Sequence, residues 1–278
     1  MIPIDTPIAI GENFWNIRGD FKVLLVANVG THMSLIRLES GNFVIIDTIK
    51  MSDNLKAAIN SLTDNGTKIE AVVGVHPFHI SYFEEFYKEY PNAHYYGTPR
   101  HLRKITTIPW TGSLCDGAAR SRWFPQIDIR IPAGAEFVDP QPEFMNHFTC
   151  AWVYHRQSGT IHVDDTISYA DDPGVMSKLM GQKKGSISFH PTMKGPGLFP
   201  NPESPFQFRD WVRCLLQEWN IVNICTAHGG NRIGGGAEVL SNALLEHEPV
   251  FEKLSRKKAS GKHKEFKPPL DGSICECG

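Results

Sequence analysis

The chain has 278 residues, 41% of them hydrophobic, and a formal charge of −2. That is enough apolar sequence for one large core, and a charge so near neutral gives neither the basic footprint of a nucleic-acid binder nor the acidity of a disordered chain. No uninterrupted apolar run is long enough to span a bilayer, so no membrane or nucleic-acid partner is expected.

The start, Met1-Ile2-Pro3-Ile4-Asp5, lacks the charged and apolar regions of a signal peptide. The six cysteines, Cys115, Cys150, Cys214, Cys225, Cys275 and Cys277, have no paired Cys-x-x-Cys spacing. They read as reduced thiols in a cytoplasmic protein and not as a thiolate zinc site.

Three runs rich in β-branched and apolar residues come first: Val23 to Val29, Met33 to Glu39 and Phe43 to Asp47. Ser40-Gly41-Asn42 punctuates the last two as a hairpin turn. Ser52 is the expected N-cap of a helix with Leu55, Ala58, Ile59 and Leu62 on one face. The continuously apolar Ala71 to Val75 then reads as a strand, and another helix is expected to begin near Ser81.

The second half repeats this order. Phe148 to His155 and Thr160 to Val163 make a hairpin around Gln157-Ser158-Gly159, followed by a helix over Pro205 to Glu218. A strand over Ile221 to Ala227 and a helix over Gly236 to Leu245 close it. Strand–helix–strand units of this kind make layered sheets covered by helices. Between the halves, Ile105 to Asn146 is rich in proline and turns. Its Trp110, Trp123 and Phe124 are expected either to wall the mouth of a site or to pack as a satellite core. From about Ser255 the chain is basic, with Pro268-Pro269, and is expected to be an extended tail, residues 255–278, beyond a domain of residues 1–254.

Four strand ends carry histidine or aspartate: Gly74-Val75-His76-Pro77-Phe78-His79, His147 just before a strand, Asp164-Asp165 after Thr160 to Val163, and His228 after Cys225-Thr226-Ala227. Strand ends hold side chains rigidly, and several imidazoles with a carboxylate suit zinc, iron or manganese. The plain alternative for His76 and His79 is a pair of turn histidines bonded to backbone. His190 is a further candidate, as a ligand or a substrate contact. His162 is expected on a strand face away from Asp165, and His32, His94, His101 and His155 read as surface or packing histidines. Gly229 to Gly236 runs into a helix. Either its amides receive an anion beside Arg232, or it is a loop that needs positive φ.

With these residues in place, the chain from about Asn13 to Leu245 resembles the metallo-β-lactamase superfamily, down to the stretch Tyr90-Pro91-Asn92-Ala93-His94-Tyr95-Tyr96-Gly97. The family's first motif, His-x-His-x-Asp-His, falls on Gly74, His76, Phe78 and His79, so its first histidine and its aspartate are lost. His147, Asp165 and His228 match the later ligands. The resemblance implies a four-layer αββα sandwich and a site of one or two divalent metal ions, zinc first, iron or manganese next. His76, His79, His147, Asp165 and His228 would hold them, with Asp165 bridging.

The implied activity is hydrolysis of a small ester, lactone, amide or phosphodiester by metal-bound hydroxide, with Asp165 and Asp164 as the catalytic carboxylates. Phe78 can neither bind metal nor act as a base; Asp164 is either the nearest replacement for proton handling or a solvated or hydrogen-bonded turn residue. The alternatives are an iron-dependent redox enzyme and a binding protein that keeps the fold without the chemistry. The expected partner is a small-molecule substrate.

Overall fold

A computed structural model of the protein describes residues 5–23, 27–28, 30–143, 146–171 and 183–261. Two twisted sheets face each other. The first is ordered β1 (Ile8–Gly11), β2 (Phe14–Gly19), β5 (Thr31–Arg37), β6 (Phe43–Ile46), β7 (Ile69–Val73), β8 (His94–Gly97) and β9 (Gly112–Ser113). The second is ordered β10 (Ile127–Arg130), β11 (Trp152–His155), β12 (Thr160–Val163), β15 (Asn223–Thr226) and β16 (Asn231–Arg232). Two small ribbons, β3 (Lys22–Val23) with β4 (Ala27–Asn28) and β13 (Ile167–Tyr169) with β14 (Ile187–Phe189), stand beside them.

Side-chain alternation along the strands builds the layers. On β6, Phe43 and Ile45 point outward to Leu55 and Ile59 of α1 (Asp53–Thr63) and to Phe83 and Phe86 of α2 (Phe83–Glu89). Val44 and Ile46 point inward to Val153 and Ile129 of the other sheet. On β11, Trp152 and Tyr154 turn outward. They join Phe208, Trp211 and Leu215 of the helix Ser204–Glu218, here α5, and Leu240, Leu244 and Phe251 of the helix Gly236–Ser260, here α6. A one-residue slip in either strand would send each set to the wrong layer, so register and layering are specified together. The result is the expected αββα sandwich. Two short helices, α3 (Pro99–Lys104) and α4 (Gly117–Ser121), follow β8 and β9. As expected, Ser52 caps α1, its hydroxyl accepting from the Leu55 amide at 3.2 Å.

The inward faces are not uniformly apolar. Asn16 and Arg18 on β2, His32 and Ser34 on β5, His162 on β12 and Asn223 on β15 are all buried. Each alternates with neighbours that enter an outward cluster, such as Ile17, Met33, Leu35, Ile161, Val163 and Ile224. One part of the space between the sheets is therefore a polar core, where every buried group needs a partner.

The structure differs from the sequence reading in the extent of several elements and decides between alternatives in another. In its described residues the run Val23 to Val29 is not one strand but part of a hairpin, with Lys22 opposite Asn28 and Val23 opposite Ala27. The last helix does not stop near Leu245 but continues to Ser260, because Phe251 and Leu254 extend its apolar face onto the core; residues 262–278 of the expected tail lie outside the described residues. Within Ile105 to Asn146 the aromatics do not wall a site together. Trp123 is buried against Tyr96, Trp110 packs on His101 and Phe83, and Phe124 is exposed. The expected helix start near Ser81 falls at Phe83.

Candidate metal centre

Parallel pairing gathers the strand ends at one rim. On β6 and β7, Ile46 lies beside Val73, so Asp47 and the segment from Gly74 to His79 emerge together. On β12 and β15, Val163 lies beside Thr226, so Asp164, Asp165 and His228 emerge together from the facing sheet. His147 enters from the loop before β11. Asp47 is in the left-handed region, φ 55°, and its Oδ1 accepts from the Val75 amide at 3.0 Å. That bond pins the chain just before His76. Gly229, at φ 91°, follows His228 so closely under Tyr169 that any β-carbon there would meet the Tyr169 carbonyl oxygen.

The five expected metal-binding residues come together around Asp165. Its Oδ2 is 3.4 Å from His76 Nε2 and 3.5 Å from His147 Nδ1. Its Oδ1 is 2.8 Å from His228 Nε2 and 3.5 Å from His79 Nε2. Asp165 is only 4% exposed, yet Oδ1 has no hydrogen-bond donor of acceptable geometry. Burial alone would raise its pKa, but His79, His76 and His228 together hold it well below the usual carboxylate range. A buried, ionised carboxylate oxygen with no donor, faced by imidazoles, is a donor set that fits a divalent cation.

The ring nitrogens are further fixed by their second partners. His228 Nδ1 lies 3.1 Å from the Gly30 carbonyl, which can only accept, so Nδ1 carries the proton. His79 Nδ1 lies 3.1 Å from Asp164 Oδ2, again an acceptor. His76 is arranged the other way. The Phe78 amide donates to its Nδ1 at 3.1 Å, and its Nε2 donates to the His147 carbonyl at 3.1 Å. Burial, then the nearby His79, lowers the His76 pKa to about 4, so this ring is neutral.

Asp164 sits behind the ligands and not in the cleft, fully buried. Its Oδ1 is 2.9 Å from His32 Nε2, and His162 Nε2 lies 3.1 Å from Asp47 Oδ2. His32 and His162 stack with ring centroids 3.9 Å apart. This cluster could be mistaken for a second metal site. The Asn16 amide nitrogen, however, lies 3.2 Å from His32 Nδ1, and its orientation is fixed because it also donates to the Met33 carbonyl at 3.2 Å, which can only accept. Nδ1 of His32 is therefore an acceptor and Nε2 a donor to Asp164, which leaves no lone pair for an ion. His32 and Asp47 border the candidate site and were not singled out for it by sequence reasoning. Asp47 did carry a signal, being another strand-end carboxylate; His32 lies mid-strand and carried none.

Gly74 and Phe78 both have side chains packed close against them. His101 from α3 occupies the space beside Gly74, with its Nδ1 held 2.9 Å from Thr98 Oγ1. The Phe78 ring centre lies 4.4 Å from that of His147, and the Arg100 guanidinium sits over the Phe78 ring, 4.8 Å from its centre. His190, partly buried, has its ring 6.5 Å from that of His147, and its Nδ1 accepts from the Thr192 amide at 3.3 Å. His162 faces inward to Asp47 and Asp164, while His155 is buried on β11 and His94 is exposed. Arg18 reaches across to the carbonyls of Thr226 and Ala227, bracing the approach to His228. Arg232 folds back on its own loop, donating to the Gly234 carbonyl. A small open cleft, about 30 Å³, adjoins His79 and His228, walled by Phe21, Phe78 and Tyr82 with Thr48 and Ser81.

No protein-family model matches the chain, and no curated protein does. Solved structures do. The metallo-β-lactamase FIM-1 from Pseudomonas aeruginosa, in its mono-zinc form, superposes with a TM-score of 0.56 at 12% identity, covering 94% of this chain and 98% of its own. A metallo-β-lactamase from Hirschia baltica gives 0.55 at 13% identity over 86% and 95%. One from Erythrobacter litoralis gives 0.51 at 13% over 86% and 92%.

Proposed function

Because the chain has the metallo-β-lactamase fold, we propose that it is a metal-dependent hydrolase of a small ester, lactone, amide or phosphodiester. The observation that carries this reading is Asp165, a buried carboxylate with four histidines around it and with an oxygen, Oδ1, that lacks a hydrogen-bond donor. Zinc is the first choice, the ion named for FIM-1, with iron and manganese next for the same donor set. A divalent ion there would supply an acidified water as nucleophile and a positive charge against the developing oxyanion.

The chain's own residues do the rest. Asp165 anchors the centre. Asp164 is a positioning residue: it faces His79 Nδ1 and so turns Nε2 toward Asp165. The aromatic walls of the cleft suit a small, partly apolar substrate. His190 accepts at Nδ1 from Thr192, so its proton sits on Nε2, where it can donate to a substrate oxygen.

The test is a panel of ester, lactone, amide and phosphodiester substrates on metal-loaded protein beside Asp165→Ala. Turnover at least a hundredfold above the variant is expected for one class, a loss at least as large as that for an outer-shell partner. A folded, metal-loaded protein with no turnover above the variant would favour the second reading, a binding protein of this fold. Phe78, packed on His147 where the resemblance expects a carboxylate, is the observation on that side.

A further inference from the structure

We propose that the centre holds one divalent ion, on the His79–Asp165–His228 side, and that the His76–His147 side is closed to a second. This rests on the metal-dependent reading above and adds to it which half is used and why.

Three observations close the first half. The space that a side chain at position 74 would need is taken by His101 and Phe83, with His101 Nε2 2.5 Å from where a β-carbon on Gly74 would stand, so no ligand can be supplied from that position. His76 has both nitrogens engaged by the main chain, Nδ1 by the Phe78 amide and Nε2 by the His147 carbonyl. An imidazole whose Nδ1 accepts a backbone proton carries its own proton on Nε2 and has no lone pair left to give. What remains on that side is His147 and Asp165 Oδ2, too few to hold an ion in a site of three or four protein ligands.

The second half has the opposite arrangement. Both of its histidines face acceptors through Nδ1: the Gly30 carbonyl for His228 and the Asp164 carboxylate for His79. Each therefore turns Nε2 toward Asp165 Oδ1, the buried oxygen that lacks a donor. An imidazole held at one nitrogen by a carbonyl or carboxylate, with the other directed at the metal, is the usual outer-shell arrangement of metal-binding histidine. The loss of the motif aspartate at Phe78 is then offset in kind. A carboxylate returns at Asp164, which orients a ligand and does not itself ligate. Two imidazoles and one carboxylate leave open positions for water and substrate, and this donor set accepts zinc and also iron(II).

The experiment counts and locates the ion without using activity. Chelator-treated full-length protein is titrated with Zn²⁺ alone by calorimetry, and with Co²⁺ by visible absorption and proton NMR. One equivalent is expected to bind tightly. His79→Ala and His228→Ala are expected to weaken it more than a hundredfold, and His76→Ala and His147→Ala less than about tenfold, judged against the outer-shell range. Wild-type protein with Co²⁺ should show two solvent-exchangeable, hyperfine-shifted signals, from the Nδ1 protons of His79 and His228. That readout needs no substitution and stands if a variant fails to fold. Two tight equivalents, or an ion that survives in the His79 and His228 variants and is lost with His76 or His147, would overturn the assignment while leaving a metal-dependent protein. No tight ion in folded wild-type protein would overturn both readings.

Discussion

The imidazole of His101 fills the space that a side chain at Gly74 would need, with His101 Nε2 placed 2.5 Å from where a β-carbon would stand. His101 is itself buried against Phe83, ring centroids 4.7 Å apart, so it has no free direction in which to move. Gly74→Ala is therefore expected to destabilise the protein by about 1–3 kcal/mol, the usual cost of overpacking. In a His101→Ala background the same change should cost much less. Urea denaturation of the four proteins in a double-mutant cycle checks this, and additive effects would show that the two residues do not compete for space.

Asp164 is expected to act on metal affinity through His79. Asp164→Ala should weaken Zn²⁺ binding about 10- to 100-fold, the range for an outer-shell partner. Its buried contact with His32 predicts a loss of stability as well, so affinity is read by chelator competition on protein shown to be folded by circular dichroism. Unchanged affinity would remove Asp164 from the positioning role.

The pH dependence of stability has a component that lies on β11, away from the metal centre. Burial lowers the pKa of His155 from 6.5 to about 4. The unfolded chain binds this proton below about pH 6.5 and the folded chain only below about 4, so the contribution is complete above 6.5 and is lost as the pH falls between the two. The slope in that window is at most about 1.4 kcal/mol per pH unit. In urea unfolding at pH 7 and pH 5, His155→Gln should lose less stability on acidification than the parent. Equal losses would show that His155 does not titrate differently on folding.

Phe208 is the side chain that joins the outer helices to the second sheet, with rings of Phe148, Phe189, Trp211 and Phe251 all within 6.3 Å of its own. Phe208→Ala should cost about 3–5 kcal/mol, because such a crowded site cannot collapse around the cavity. Glu248, which pairs with Arg209 and Arg213 across α5 and α6, is the contrasting case. It is partly exposed, and Glu248→Ala should change stability by about 1 kcal/mol or less. Chemical denaturation distinguishes the two, and a larger loss at Glu248 than at Phe208 would contradict the view that apolar packing holds this layer.

By itself the sequence determined the layers and the rim. Continuously apolar runs such as Phe43 to Ile46 and Trp152 to Tyr154 mark strands buried on both faces, and helical spacing on Leu55 and Ile59 or Phe208, Trp211, Val212 and Leu215 marks the buried face of each helix. Histidine or aspartate at the ends of such runs marked His76, His79, His147, Asp165 and His228 for the same reason. The tertiary structure alone decided how those ligands are used. Whether an imidazole offers a lone pair depends on what meets its other nitrogen, and those partners come from distant chain: Gly30 for His228, Asp164 for His79. The exchange of a side chain at Gly74 for His101 was likewise invisible, because a helix 27 residues on fills the space. His32 and Asp47 joined the site only when the two sheets closed, since hydrogen bonds between facing strands leave no periodic trace in either strand.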